Sequence, residues 1–149
     1  MKDENRIPKL VHELEYLVNH KIEVGILSGS GTPTAGGEDI LSIAFTHEFG
    51  FSARNIPERS FMRAGFDENV DEIQRTAETL LDGVLQGRTT GKAMLEALGG
   101  VVVSMIQNYL TDLSTPPLSA RTIEQKGSSN PLIDTGQLRS SITWKVVSA

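Results

Sequence analysis

Few residues of this chain have the types and spacing that catalysis or metal binding requires. His47 and Glu48 stand side by side, as in the first half of a zinc-protease motif, but Phe51 occupies the position of that motif's second histidine. Glu48 and Asp134 are candidates for a pair of catalytic acids, although most of the chain separates them. The chain has no cysteine, and no serine lies in a nucleophile-elbow pattern. We therefore predict that the protein is not an enzyme and has no cofactor or metal site. A hydrolase that uses Glu48 or Asp134 is a less favoured alternative.

A glycine-rich stretch at residues 29–37 (GSGTPTAGG) invites comparison with phosphate-binding loops. It lacks the Gly-Lys-Ser/Thr ending of a P-loop and the spacing of a G-x-G-x-x-G motif. We interpret it as a mobile loop, of the kind that becomes ordered on contact with a neighbouring subunit.

Three arginines lie close together among phenylalanines, a pattern with two interpretations. Such a cluster can form a nucleic-acid surface, but acidic residues dilute its charge and the whole chain has a net charge of −5. Arginine and phenylalanine are also enriched in the cores of protein interfaces. We favour a protein interface, and its predicted members in this segment are Arg54, Arg59, Phe61 and Arg63.

The hydrophobic pattern predicts an α+β fold in a single domain, residues 1–149. Period-two alternation predicts two strands that pair in a small antiparallel or mixed sheet, and helical spacing predicts helices packed against it. The predicted elements are an N-terminal helix over 7–19, strands at 21–27 and 141–147, and two long helices at about 69–86 and 90–113.

A short helix is predicted between the first strand and the arginine cluster. Asp39 is a suitable N-cap residue, and Gly50 is a suitable end. A two-stranded sheet is marginal alone, so a third strand is expected from residues 51–56 or from another copy of the chain.

The bulk composition indicates a globular protein. A length of 149 residues with 38% hydrophobic residues is enough for one core. The first six residues are polar and do not resemble a signal peptide, and the apolar run near residues 101–103 is too short to span a bilayer. We expect synthesis in the cytoplasm and no membrane contact.

The segment from residue 116 to 147 combines helix caps with turn formers. Ser119 and Asp134 are suited to cap short helices, while Gly127 and Gly136 are suited to turns. We predict a rigid, weakly basic loop that presents Arg121, Lys126 and Arg139.

Four short motifs stand in a fixed order between residues 48 and 142. They are Glu48-Phe49-Gly50, Ile56-Pro57-x-Arg59-x-Phe61, Pro117-Leu118-Ser119-x-x-Thr122-Ile123-x-x-Lys126-Gly127 and Asn130-Pro131-Leu132-Ile133-Asp134-Thr135-Gly136-x-Leu138-x-x-Ser141-Ile142. Their order and spacing resemble the tail-completion, or head–tail joining, proteins of long-tailed bacteriophages and their prophages. The resemblance covers roughly residues 22–147.

This resemblance implies a structural virion protein that acts at the neck late in assembly, made in the bacterial host cytoplasm. It implies a homo-oligomeric ring that contacts other tail and head-connector proteins, with contact to DNA in the channel left open. A DNA-associated packaging or regulatory factor is the alternative, based on the three arginines. The predicted interface residues are Arg54, Arg59, Phe61, Arg63, Arg121, Lys126, Asp134 and Arg139.

Overall fold

The computed structural model describes residues 6–27, 39–113 and 136–149, and these form a mixed α+β fold as predicted. The elements in chain order are α1 (Arg6–Val18), β1 (His20–Gly25), α2 (Ile40–Phe49), a 3-10 turn (Ser52–Arg54), α3 (Met62–Asp67), α4 (Val70–Leu85), α5 (Gly91–Asp112), α6 (Gln137–Ser141) and β2 (Thr143–Ser148). The two long helices match their predicted bounds within a residue at each end. The strands are shifted: β1 ends before Ile26, and β2 starts later than predicted because residues 137–141 are helical.

Helix α5 is the centre of the core. Its side chains at Ile106 and Leu110 are 2% and 0% exposed. It packs against α1, α3, α4, α6 and both strands, which is why its sequence is apolar on more than one face. The helix is long and apolar enough for a bilayer span by length and composition, a criterion that core helices of globular proteins also meet.

The sheet consists of β1 and β2 in antiparallel register, among the residues that the structure describes. Val24 lies opposite Trp144, and the Trp144 ring lies against Gly99 of α5. On the other face, Lys145 and Glu23 form an ion pair of 3.2 Å. The alternation of apolar and polar residues that predicted these strands therefore has a structural cause. One face of the sheet packs on α5, and the other face carries charged side chains.

The segment 51–56 does not supply the expected third strand. Phe51 and Ile56 pair with each other in an isolated antiparallel bridge, because the intervening 3-10 turn and the left-handed Asn55 (φ 52°) reverse the chain. The segment is a tight turn rather than a sheet edge.

Helix α2 begins and ends as the sequence predicts. The Asp39 carboxylate accepts hydrogen bonds from the backbone N and the Oγ of Ser42, both at 3.1 Å, and Gly50 ends the helix. The helix buries Ile40, Ala44 and Glu48 along one stripe. Its opposite side faces outward.

Several predictions concern residues outside the described ranges. They are the glycine-rich loop at 29–37, the short helix capped by Ser119, and the residues Arg121, Lys126 and Asp134.

Candidate interaction surface

Glu48 is a buried carboxylate that joins α2 to α3. The residue is 7% exposed, in the last turn of α2. Its two oxygens accept hydrogen bonds from Ser60 Oγ (2.8 Å), from the backbone N of Phe61, Met62 and Arg63 (2.9, 2.9 and 3.1 Å), and from Arg63 Nε (2.9 Å). The first backbone N–H groups of a helix have no partner within the helix, and Glu48 supplies that partner for α3 from another element. We call this arrangement the Glu48 clamp.

The environment of the Glu48 clamp keeps its carboxyl group ionised. Burial is the largest single influence and raises the pKa of Glu48. The hydrogen bonds from Met62, Arg63 and Ser60 together outweigh burial, so that the pKa lies below its ordinary value of 4.5. A carboxylate engaged in this way has no lone pair directed at a substrate, and its contacts fit a structural role.

Arg63 completes the clamp on the outside. Besides its bond to the Glu48 side chain, its Nη2 donates to the Glu48 carbonyl at 3.2 Å and to Glu58 Oε1 at 2.8 Å. Its guanidinium also lies 4.8 Å from the ring centroid of Phe49. The positive charge of Arg63 is therefore balanced by two carboxylates of the same chain.

Gly50 brings the turn after α2 close to the segment that leads into α3. Its φ is +72°, and a Cβ placed there would lie 2.8 Å from the backbone N of Glu58 and 3.1 Å from the carbonyl O of Ile56. Nearby, the backbone N of Arg59 donates to the carbonyl of His47 at 2.7 Å. The first two sequence motifs therefore form one compact unit of the fold.

Replacing Gly50 by alanine is expected to destabilise the protein by about 2–3 kcal/mol, because left-handed backbone strain adds to a steric clash. Gly87 is the matched control, since it has the same φ of +72° but a Cβ added there would meet nothing within 4 Å. Gly87→Ala should cost only about 1 kcal/mol from backbone strain. Urea unfolding measures both variants, and equal costs would contradict the close approach at Gly50.

The outward side of α2 and the turn after it carry a group of exposed apolar side chains. Leu41, Phe45, Phe49 and Phe51 are 45%, 66%, 51% and 44% exposed, and we call them the aromatic surface. The rings of Phe45 and Phe49 lie 4.7 Å apart, and Arg54 lies 5.7 Å from the ring of Phe51. A shallow open cavity runs between Leu41, Phe45 and Phe51. Contiguous exposed aromatic groups of this kind are typical of docking sites.

The predicted interface residues fall into three groups, which are exposed residues, residues outside the described ranges, and two buried residues. Arg54 is exposed beside the aromatic surface, and Arg63 is half-exposed. Arg139 is exposed on α6, where its carbonyl accepts from Gln107 Nε2 at 3.0 Å. Arg121, Lys126 and Asp134 lie outside the described residues.

Arg59 and Phe61 require a correction. They are 6% and 1% exposed, and Phe61 belongs to the core cluster around α5. Both side chains are enclosed by the chain's own fold, so neither supplies the exposed contact that the sequence analysis assigned to it.

The outward-facing members of the aromatic surface were not among the residues predicted from the sequence. Leu41, Phe45 and Phe49 recur every four residues, as do Ile40 and Ala44 on the buried stripe. A helix with two apolar stripes at the edge of a small domain has one stripe that the core cannot cover. That pattern was the available signal.

Among the described residues, no group of three or more His, Asp or Glu could hold a metal ion. Comparison with known proteins assigns no relative, since no protein-family model, curated protein or solved structure matches the chain.

Proposed function

We propose that the protein is a structural virion component of a long-tailed bacteriophage, acting in tail completion or head–tail joining as a homo-oligomeric ring at the neck. The observation that carries the proposal is the aromatic surface, which is held in place by the Glu48 clamp. Two of the four motifs that resemble the neck family build this clamp and the turn after α2.

The aromatic surface supports docking because its exposure is unfavourable for an isolated chain. Each large apolar side chain loses roughly 25 cal/mol of stabilisation for every Å² that it leaves in water. Phe45 is the most exposed member of the aromatic surface, at 66%, although the preceding residue, Ala44, is buried. Coverage by another protein recovers this free energy, and a rigid surface also limits the entropy lost on association.

The local charges favour a protein partner over DNA. Arg63 is balanced by Glu48 and Glu58, and Arg59 is buried. Arg54 is therefore the one cation of this cluster that is both exposed and without an ion pair among the described residues. A duplex-binding surface requires several phosphate contacts, so a DNA-associated packaging or regulatory factor is the weaker proposal.

The proposal is tested in phage particles assembled with Phe45→Ser in place of the native residue. Infectious particles should fall by about tenfold or more, as expected for a central aromatic contact. Electron microscopy should show separated heads and tails in their place.

The matched control is Leu85→Ser, which removes an apolar side chain that is 41% exposed at the end of α4. Its particles should be joined normally. Normal joining in phage that lack the protein altogether would refute the proposed function.

A further inference from the structure

A second exposed apolar site lies at the junction of α3 and α4. Phe66 and Val70 are 42% and 46% exposed, and the exposed residues Asp67 and Asp71 lie beside them. Phe66 and Val70 are four residues apart across the α3–α4 junction, as are Asp67 and Asp71, and we call these four residues the acidic stripe.

The carboxylates of the acidic stripe are compensated only in part by the chain itself. Asp67 forms no ion pair among the described residues, whereas Asp71 interacts electrostatically with Arg75, which also binds the adjacent Glu72 at 2.8 Å within α4. Arg54, at the edge of the aromatic surface, is likewise without an ion pair in the described part of the chain. The chain therefore presents two apolar sites that lie beside exposed charges of opposite sign, Arg54 at the first and Asp67 at the second.

We propose that the aromatic surface of one copy of the chain packs on the acidic stripe of a second copy. Phe45 and Phe49 would cover Phe66 and Val70, and Arg54 would approach Asp67 and Asp71. Complementary charge beside an apolar centre sets the register of such a contact and disfavours pairing of two like surfaces. This inference rests on the proposed self-assembly and specifies which surfaces carry it.

The contact joins two different surfaces of the same chain, which has consequences for symmetry. After one contact, one copy still has a free acidic stripe and the other a free aromatic surface, unless the contact is made twice within a two-fold dimer. Repetition of the contact gives a ring when the rotation between neighbours closes.

Site-specific cross-linking tests the contact directly, because the chain has no cysteine. Ser42→Cys protein and Gln74→Cys protein, carrying different tags, are mixed at millimolar concentration and treated with a short bis-maleimide. Both positions are exposed, Ser42 beside Phe45 and Gln74 one turn from Val70, so the apolar side chains of the contact stay in place. The expected product is a covalent dimer that contains both tags. The control replaces Gln74→Cys by Leu85→Cys, which lies on the same helix about three turns away and is also exposed, at 41%.

The contact is overturned if the mixed dimer does not form, or if the Leu85→Cys control gives as much of it. It is also overturned if Ser42→Cys alone gives the main product, since that result indicates pairing of two aromatic surfaces. Circular dichroism of each variant verifies that the fold is retained.

Charge reversal provides a second, independent test. Arg54→Glu and Asp71→Arg should each weaken self-association by roughly 2- to 10-fold in sedimentation, because each creates a like-charge contact. The double variant should restore much of the affinity. No loss in the single variants, or no recovery in the double variant, would exclude Arg54 and Asp71 as partners.

The results also separate this contact from the neck proposal. A protein carrying both cysteines should give a ladder of covalent oligomers when the contact propagates, and only dimers when it closes with two-fold symmetry. Formation of dimers alone would support the contact but contradict a ring. Normal head–tail joining without the protein would refute the neck function and leave the cross-linking result intact.

Discussion

Replacing Glu48 by alanine is expected to lower the free energy of unfolding by about 3–5 kcal/mol, because each buried donor left without an acceptor costs about 1–3 kcal/mol and Glu48 serves several. The variant leaves the backbone N–H of Phe61 inside the core without its acceptor, and it also removes the acceptor of Ser60 and Arg63. Because Glu48 is the link between α2 and the start of α3, the aromatic surface should also lose its fixed geometry. Chemical denaturation measures the first effect, and hydrogen exchange of α2 measures the second.

The contribution of Glu48 should depend on pH in a defined direction. Its pKa is lowered in the folded protein, so the unfolded chain binds more protons over the interval between the two pKa values. The stabilisation is therefore complete above the ordinary carboxyl range and is lost as the pH falls through the lowered pKa. Glu48→Gln should be less stable at neutral pH, and its difference from the native protein should shrink below about pH 4.5.

Glu58→Gln is the matched control for Glu48. Glu58 also binds Arg63, at 2.8 Å, but its side chain is 56% exposed. A surface ion pair contributes little, so this variant should change stability by less than about 1 kcal/mol. Equal effects at Glu48 and Glu58 would show that the clamp is no more than a surface interaction.

Gly99→Ala is expected to destabilise the protein by about 1–3 kcal/mol, the usual cost of overpacking. A Cβ at Gly99 would lie 2.6, 2.8 and 2.9 Å from three ring atoms of Trp144. These atoms are close to the ring's attachment point, and the sheet that carries Trp144 limits how far the ring can move. The change forces β2 away from α5, and calorimetry should record a lower melting temperature.

Gly100 offers a test one residue away. A Cβ there would lie 3.8 Å from Trp144 Nε1, an ordinary van der Waals distance. Gly100→Ala should therefore stabilise α5 by up to about 1 kcal/mol through helix propensity alone. If both alanine variants changed stability in the same direction, the proposed close packing at Gly99 would be wrong.

Much of the fold follows from local sequence patterns. The alternation around Val24 and Trp144 predicted two strands that pair, and the helical stripes predicted α4 and α5 nearly to the residue. Asp39 and Gly50 indicated the ends of α2 through local effects. The Asp39 side chain caps the first turn, and Gly50, which has no side chain, permits the left-handed backbone that ends the helix. These features depend on residues that are close together in sequence, which is why they could be predicted from local patterns.

The candidate site depends on contacts between segments, and there the sequence was a poorer guide. Glu48 binds residues 12 to 15 positions further along the chain, and no local sequence pattern indicates contacts at that separation. Arg59 and Phe61 have the composition of an interface but are buried, because the turn after Gly50 directs them inward. The exposed side of α2 was hard to recognise because the helix has the composition of a core helix.

The pairing of β1 with β2 imposes an order of events on the newly made chain. The sheet cannot form until Thr143, which pairs with Gly25 and lies more than a hundred residues later, has been synthesised. During synthesis, α4 and α5 can already associate, while the α5 side that receives Trp144 stays open. Long-range pairing of this kind folds late and slowly, so a ribosome-bound chain should expose its unfinished core until residue 148 has emerged. Chains interrupted before Thr143 would lack the sheet and present a surface that chaperones and proteases recognise.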